Sequence, residues 1–227
     1  MNIIYLNHSG FLVETASKVL VFDYYSKGGH FDFFQPEKYQ GKEILFFVSH
    51  NHGDHFDAKI LQWTDQAAYV FSSDVELGHT FHGESLVVKP HERYTFHGLT
   101  IETLLSNDEG VAFVVEGDGA TIYHGGDLNW WHWNGEGKEF NDAIAKSYQE
   151  EIARIKGRSF DVAFVPADPR LEDKFSWATD YFMEQVQAKA VFPMHFWGKF
   201  EVCEELAERA YGSRIVKITK ENEVFSL

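Results

Sequence analysis

The sequence has almost no cysteine. Cys203 stands alone among 227 residues, so no internal disulfide can form and no cysteine cage can hold a metal. Set in a helix-patterned stretch, it reads as a small packing residue. Positive charge is also scarce: 20 Lys and Arg face 35 Asp and Glu, a formal net charge of −15. A nucleic-acid binder needs a basic stripe to displace counterions, and a membrane-surface protein needs a basic patch, so neither class is expected. Long apolar runs are missing. Ile44 to Val48 is among the longest, far short of the roughly 20 residues of a membrane span. No basic-then-apolar leader follows Met1, so no signal peptide is expected and the cytoplasm is the expected location. What remains is an ordinary globular composition, 44% hydrophobic and 24% charged. A chain of this length buries roughly 70% of its unfolded surface. Against that background stand twelve histidines beside the carboxylate excess, the donor types of a metal site.

Short β-branched and aromatic runs open the chain at Asn2 to Leu6, Phe11 to Glu14 and Val19 to Phe22, with Thr15-Ala16-Ser17-Lys18 as a hairpin connection. Ile44 to Val48 suits a strand buried on both faces and runs into the polar Ser49-His50-Asn51-His52. Asp57 is placed to N-cap a short helix carrying Ile60, Leu61 and Trp63, and Ala68 to Phe71 reads as a strand. A meander follows over Ser85 to Val88, Tyr94 to Phe96, Thr100 to Leu105, Val111 to Val115 and Ala120 to Tyr123. Asp118-Gly119 joins its last two strands. The last third alternates. Helices are predicted over Glu139 to Lys156 (closed by Gly157), Trp177 to Ala188 and Val202 to Tyr211; strands over Val162 to Val165, Val191 to Met194, Ile215 to Ile218 and Val224 to Phe225. Meanders running into helix–strand units without a linker predict an α/β (α+β) fold, two sheets face to face with helices outside, in one domain over 1–227.

Chemistry concentrates in Ser49-His50-Asn51-His52-Gly53-Asp54-His55, three imidazoles and a carboxylate within six residues directly after a buried strand. A loop at a strand end fans its side chains out, so His50 and His52 can face one metal while Asp54 and His55 face another. Neutral imidazole binds zinc at about 2.0–2.1 Å without cancelling its charge. A carboxylate can hold or orient an attacking water. A His-rich surface turn is the bland alternative, and the spacing His-x-His-x-Asp-His is too specific to favour it.

That spacing resembles the signature of the metallo-β-lactamase superfamily of metal-dependent hydrolases. Ile122-Tyr123-His124-Gly125-Gly126-Asp127 resembles the family's strand ending in Gly-Asp, and Phe192-Pro193-Met194-His195 its late strand ending in a metal histidine. Leu6-Asn7-His8-Ser9-Gly10-Phe11 and Leu20-Val21-Phe22-Asp23 resemble the N-terminal hairpin of the branch related to L-ascorbate 6-phosphate lactonases. The resemblance implies a four-layer αββα sandwich of two mixed β-sheets, with the metals at one edge. It implies His50, His52, Asp54, His55, Asp127 and His195 as ligands, Asp127 bridging. One position departs: where the family has a further histidine, this chain reads Ser106-Asn107-Asp108-Glu109. Asp108 is the expected substitute, an oxygen ligand that moves preference from zinc toward manganese or iron. One or two divalent ions are expected, zinc first.

The resemblance further implies a metal-bound hydroxide cleaving an ester, lactone or phosphoester of a small molecule, with Asp54 both ligating and steering it as the catalytic carboxylate. His8 and Asp23 are candidates to fix imidazole tautomers from behind. Trp130, Trp131 and Trp133 read as an aromatic wall for substrate or else as a packing plug under the following helix or a subunit contact, and His132 as a substrate contact, a proton shuttle or a solvated loop histidine. Arg170, one of six arginines, could clamp a substrate anion or pair with Asp168. His30, His79, His82, His91 and His97 read as surface or turn residues, and His124 as a core histidine. Two other readings stay open: an iron redox member of the same fold, disfavoured by His52, and a non-catalytic module whose site has decayed at Ser106 to Asp108. An oligomer is possible, though nothing in the sequence demands one.

Overall fold

The computed structural model describes residues 1–26, 34–77 and 81–227; His30 and His79 lie outside them. Thirteen strands occur among the described residues: β1 (Asn2–Asn7), β2 (Gly10–Glu14), β3 (Lys18–Phe22), β4 (Glu43–Val48), β5 (Ala67–Ser72), β6 (Ser85–Val88), β7 (Arg93–Phe96), β8 (Leu99–Leu105), β9 (Val111–Gly117), β10 (Ala120–His124), β11 (Ser159–Pro166), β12 (Gln187–Met194) and β13 (Glu223–Ser226). They form one sheet in the order β13-β1-β2-β3-β4-β5-β6 and another in the order β12-β11-β10-β9-β8-β7. Both are mixed. β13 through β3 pair antiparallel and β3 through β6 parallel; β7 through β10 pair antiparallel and β10 through β12 parallel.

The period of two decides which face each side chain takes. In β4, Leu45 and Phe47 turn inward, and Ile44, Phe46 and Val48 turn outward; all five are buried. Phe22 and Phe47 are register partners with rings 4.8 Å apart. Phe11 stacks on Phe164 of the facing sheet at 4.2 Å. Truncating such a buried ring costs about 3–5 kcal/mol. On the outer face of the second sheet lie α1 (Lys138–Ala153) and α2 (Trp177–Gln185): Tyr123 meets Phe182 at 4.8 Å, and the Tyr148 hydroxyl donates to the Ala178 carbonyl at 2.8 Å. A shorter α3 (Glu201–Ala207) buries Val202, Cys203 and Leu206 in the same core. Among the described residues no α-helix covers the first sheet. Two 3-10 helices, Pro36–Tyr39 and Ala58–Trp63, stand there instead, the second capped by the Asp57 carboxylate and laying Trp63 parallel to Phe46.

The elements differ from the sequence pattern in four places, the first being the helix expected to reach Lys156, which ends at Ala153. The helix expected to reach Ala188 stops at Gln185, because Gln187-Ala188 enters a parallel ladder with Ser159-Phe160. Sheet pairing outweighs the helix propensity of Gln, Ala and Lys there. The helix expected to Tyr211 ends at Ala207. Ile215 to Ile218 makes only the bridge of Ile215 to Val191. Asp118-Gly119 turns as expected, both residues at positive φ (+48° and +81°). The Asp118 carboxylate also accepts from Thr15 Oγ1, Ser17 N and Ser17 Oγ at 2.6–2.9 Å, tying two hairpins together. The opposite ends of β3, β4, β10, β11 and β12 release Asp23, His50, Asp127, Asp168 and His195 toward one another, at the carboxyl ends of parallel strands.

Candidate metal centre

The loop after β4 is held by close backbone approach. Val111 N donates to the Ser49 carbonyl at 2.9 Å. Gly110 (φ +67°) and Gly126 (φ +51°) press on Ser49 so closely that a Cβ at Gly110 would lie 2.0 Å from the Ser49 carbonyl oxygen, and one at Gly126 2.8 Å from its Cβ. Only glycine fits either position. Strain concentrates nearby: of nine non-glycine residues at positive φ among the described residues, His8, Asp23, His195 and Trp197 are four. Each such conformation costs roughly 1–2 kcal/mol and persists only where surrounding contacts hold it.

Eight donor side chains from five chain segments meet here in two groups. His8, Asp54, His55 and His195 form the first, and His50, His52, Asp108 and Asp127 the second; within each, the donor atoms lie within 4.8 Å of one another. Asp127 faces both. Its Oδ1 is 3.2 Å from His55 Nε2 and 3.4 Å from His195 Nε2, and its Oδ2 is 3.7 Å from His50 Nε2. His8 Nε2 is 3.3 Å from Asp54 Oδ2, and His52 Nδ1 is 3.6 Å from Asp108 Oδ2. His8 Nε2, His55 Nε2 and Asp127 Oδ1 are buried without a hydrogen-bond partner among the described residues. Buried polar atoms are seldom left so, because desolvation costs them a few kcal/mol each. Divalent cations would satisfy all three, and imidazole with carboxylate is a fitting donor set.

Three of the imidazoles are oriented from behind. His50 Nδ1 meets Ser49 Oγ at 2.9 Å, His55 Nδ1 meets Asp23 Oδ2 at 2.8 Å, and His195 Nδ1 meets Asp168 Oδ2 at 2.9 Å. A carboxylate can only accept, so Nδ1 of His55 and of His195 carries a proton, and a neutral ring presents its Nε2 lone pair to the site. Charge follows geometry. Burial opposes the imidazolium of His195, but Asp127 and Asp168 outweigh it and raise its pKa to about 9. Burial likewise opposes a charged His55, and Asp127 and Asp23 overcome it, so His55 also titrates well above its ordinary value. Burial would raise Asp127, yet His55 and His195 hold it well below the usual carboxylate range. His8 and His50 fall to about 4 through burial. Asp54 stays low despite burial, because the His8 and His55 imidazoles lie close to it. Burial and the charge of Asp127 push Asp108 up. The group holding His55 and His195 thus attracts positive charge into a buried space, where protons stand in for a cation; in the other group His52 and Asp108 are exposed.

The structure brings together His50, His52, Asp54, His55, Asp108, Asp127 and His195. Asp108 lies with His52 because the Ser106 hydroxyl accepts from its backbone N–H at 3.2 Å, while the Asn107 side chain donates to the Asn129 carbonyl and accepts from the Asn129 N–H. Asp23 is fully buried and lies behind His55. His8, expected behind a ligand, instead stands inside the first group: the strained β1–β2 turn aims its Nε2 at Asp54. The tryptophan run splits. Trp131 donates Nε1 to the Asp127 carbonyl at 3.0 Å and stays at the site. Trp130 does not: it turns onto Trp177, Tyr148 and Tyr181, packing against the helices. His132 also departs from the site, lying 4.8 Å from the Trp177 ring. The cause is α1, whose Asn141 side chain bonds both the N–H and the carbonyl of Trp133, fixing the loop's direction. Arg170 reaches the site, paired bidentately with Asp168. His91 pairs with Glu151 and His97 with Glu84. His82 is exposed, Cys203 is buried, and the His124 ring lies in the core with Nε2 on the Ser9 carbonyl.

Sequence reasoning missed Asp168 as a support for His195, and Trp197 as a wall. Asp168 follows strand β11 as Asp127 follows β10, so the strand-end aspartate was the available signal. Trp197 had none, because a left-handed loop turns it back over His8 at 4.5 Å. Beside the two groups opens a cavity of about 530 Å³, bordered by Trp131, Trp133, Phe140, Ile144, Arg170 and Trp197.

Residues 2–195 match the family described as the β-lactamase superfamily domain. A UPF0173 metal-dependent hydrolase of Pelotomaculum thermopropionicum is 29% identical over 222 residues, covering 86% of this chain and 84% of the relative. Another of that name, from Bacillus cereus, is 25% identical and covers 90% and 89%. Among solved structures, Igni18, a metallo hydrolase from Ignicoccus hospitalis, aligns over 100% of this chain and 98% of its own with a TM-score of 0.61. At 17% identity that likeness is one of fold.

Proposed function

The chain belongs to the β-lactamase superfamily domain family, and from that premise we propose that it is a metal-dependent hydrolase acting on a small molecule. One observation carries the reading: the Asp127 carboxylate turns one oxygen toward each of two donor groups, amid buried polar atoms left without partners. His50, His52, Asp108 and Asp127 would hold one cation, and Asp54, His55, His195 and Asp127 the other, with His8 beside Asp54. When bound, such ions supply Lewis acidity and water ionisable near neutral pH, so no serine or cysteine nucleophile is needed. Asp54, about 29% exposed and held ionised, is placed to accept a proton and orient the attacking water. Trp131 and Arg170 would seat the substrate.

The bond cleaved is an ester, lactone or phosphoester in this reading. The likeness to the lactonase-related branch rests on the hairpin that delivers His8 and Asp23. The position of Asp108 beside His52 favours a substituted site over a decayed one. Zinc suits the imidazole-rich group; manganese or iron suits the group containing Asp108. Metal analysis after reconstitution tests the reading. Wild type should hold close to two equivalents, and Asp127→Ala and His55→Ala should hold less. No divalent metal in wild type would sink it.

A further inference from the structure

Outside its donor groups, the cavity beside the candidate centre has a largely aromatic wall. Its wall is Trp131, Trp133, Phe140, Ile144 and Trp197. Phe140 is 44% exposed and Trp197 48%, and both border this one opening. Large apolar side chains held at the rim of one pocket mark a binding surface. Their placement is built. Asn141 fixes Trp133 through two backbone hydrogen bonds, and Trp197 donates Nε1 to Asp168 at 3.2 Å. Arg170 lies between the two indoles, its guanidinium carbon 5.6 Å from the Trp133 ring and 4.8 Å from the Trp197 ring.

Polar capacity outside the donor groups is small. Asn107 spends its amide on the Asn129 backbone and Ser147, leaving little for sugar hydroxyls. Arg170 gives Nε and Nη2 to Asp168, and Nη1 makes no hydrogen bond among the described residues. One guanidinium nitrogen is therefore the cavity's unspent cationic donor. Charge agrees. Two divalent ions would bring four positive charges against the four carboxylates of Asp23, Asp54, Asp108 and Asp127, while Asp168 cancels Arg170. No positive excess is left to hold a multiply charged anion, and Arg170 Nη1 can meet at most one negative group.

We propose that the cavity selects a flat apolar group, an aromatic ring or its like, on a substrate that is neutral or carries one negative charge met by Arg170 Nη1. Phosphorylated sugars and other multiply charged substrates fit poorly. The proposal rests on the hydrolase reading for its reaction and on the cavity lining for its selectivity.

Binding to the full-length, zinc-reconstituted protein tests it, read by calorimetry and tryptophan quenching. The probes are 2-naphthoate, cyclohexanecarboxylate and naphthalene-2,6-dicarboxylate. Both monoacids can meet a metal equally, so their ratio isolates the flat wall. Ring-on-ring contact predicts 2-naphthoate about 3- to 10-fold tighter than cyclohexanecarboxylate, and the dicarboxylate no tighter than 2-naphthoate. Trp133→Leu and Trp197→Leu should each shrink the preference with metal content unchanged; should Trp197→Leu not fold, Phe140→Ala gives the same readout from an exposed position. Equal binding of flat and non-flat acids, or a dianion bound markedly tighter, overturns the proposal. A parallel arm measures turnover of naphthyl and cyclohexyl acetates. Turnover of both without preference would leave the hydrolase reading standing and defeat this one. A flat-ring binding preference with no turnover of either acetate would count against the ester form of the hydrolase reading and leave the selectivity intact.

Discussion

Replacing Asp23 by asparagine changes one buried atom and almost no shape. The carboxylate accepts three hydrogen bonds: from Ser49 N at Oδ1 (2.8 Å), and from Ser49 Oγ (2.7 Å) and His55 Nδ1 (2.8 Å) at Oδ2. Asn tolerates the left-handed φ of +42° as well as Asp does, so backbone strain is unchanged. The amide has one accepting oxygen and one donating NH2. With the oxygen toward Ser49 N–H, the NH2 points at His55 Nδ1. His55 must then accept there and carry its proton on Nε2, the atom 3.2 Å from Asp127. Flipping the amide strands the Ser49 N–H instead, at about 1–3 kcal/mol. Removing a partner of this kind weakens metal binding roughly 10- to 100-fold, or about 1.4–2.7 kcal/mol. The assay titrates metal-free Asp23→Asn against a chromophoric chelator, with thermal melting as the check on folding. One metal equivalent should weaken by that factor, and the equivalent held by His50 and His52 much less. Affinities within twofold of wild type for both equivalents would refute the assignment of the His55 tautomer to Asp23.

Three further outcomes are expected. In the metal-free protein His195 has a folded pKa near 9, above its unfolded value, so its contribution to stability is complete below about pH 6.5 and is lost as pH rises through 9. Metal must displace that proton, so affinity should rise with pH over the same window; melting of the metal-free protein and chelator titration from pH 6 to 9.5 should therefore move in opposite directions. Asp168→Ala should free His195, Arg170 and Trp197 together, lowering metal affinity about 10-fold or more; Arg170→Gln leaves the Asp168–His195 bond in place and should lower it far less, and equal losses would contradict the placement of Asp168 behind His195. Asp118→Asn should cost about 0.5–1 kcal/mol at neutral pH with metal content unchanged, since the group is partly exposed and screened. Its folded pKa is depressed to about 2, so that cost should be full above the unfolded value near 4 and vanish as pH falls through 2.

Much of this was legible in the sequence because the relevant signals are local. His50-x-His52-x-Asp54-His55 lies on one loop after one strand, and a strand-end Gly-Gly-Asp places Asp127. The strands β3, β4 and β5 announce themselves by apolar runs. Asp108 could be read because it stands where another ligand was due. What escaped reading depends on distant partners. Trp130 and Trp131 are neighbours in sequence, and only the anchor from Asn141 on α1 decides which of them faces the site. The helical look of Gln187-Ala188-Lys189-Ala190 gives way to a ladder with β11, which no window of local sequence contains. His8 looked like a supporting residue because nothing near it in sequence shows that His195 N will bond its carbonyl and draw the β1–β2 turn into the cluster.

That last bond explains why strain gathers at the centre. His8 and His195 both sit at positive φ, joined through His195 N and the His8 carbonyl at 3.2 Å, with their rings 4.1 Å apart. A relaxed strand end at either residue would carry its imidazole along the strand direction and away from Asp54 and Asp127. The left-handed turn reverses it, at a conformational cost of roughly 1–2 kcal/mol per residue. The His195–Asp168 bond offsets part of that cost, while His8 Nε2 and Asp127 Oδ1 are buried without hydrogen-bond partners among the described residues. The sheets beneath are held by separate means: the phenylalanine stack between them, and the hairpin tie at Asp118 on the far end. The scaffold therefore holds two strained turns in the geometry that a pair of cations would reward.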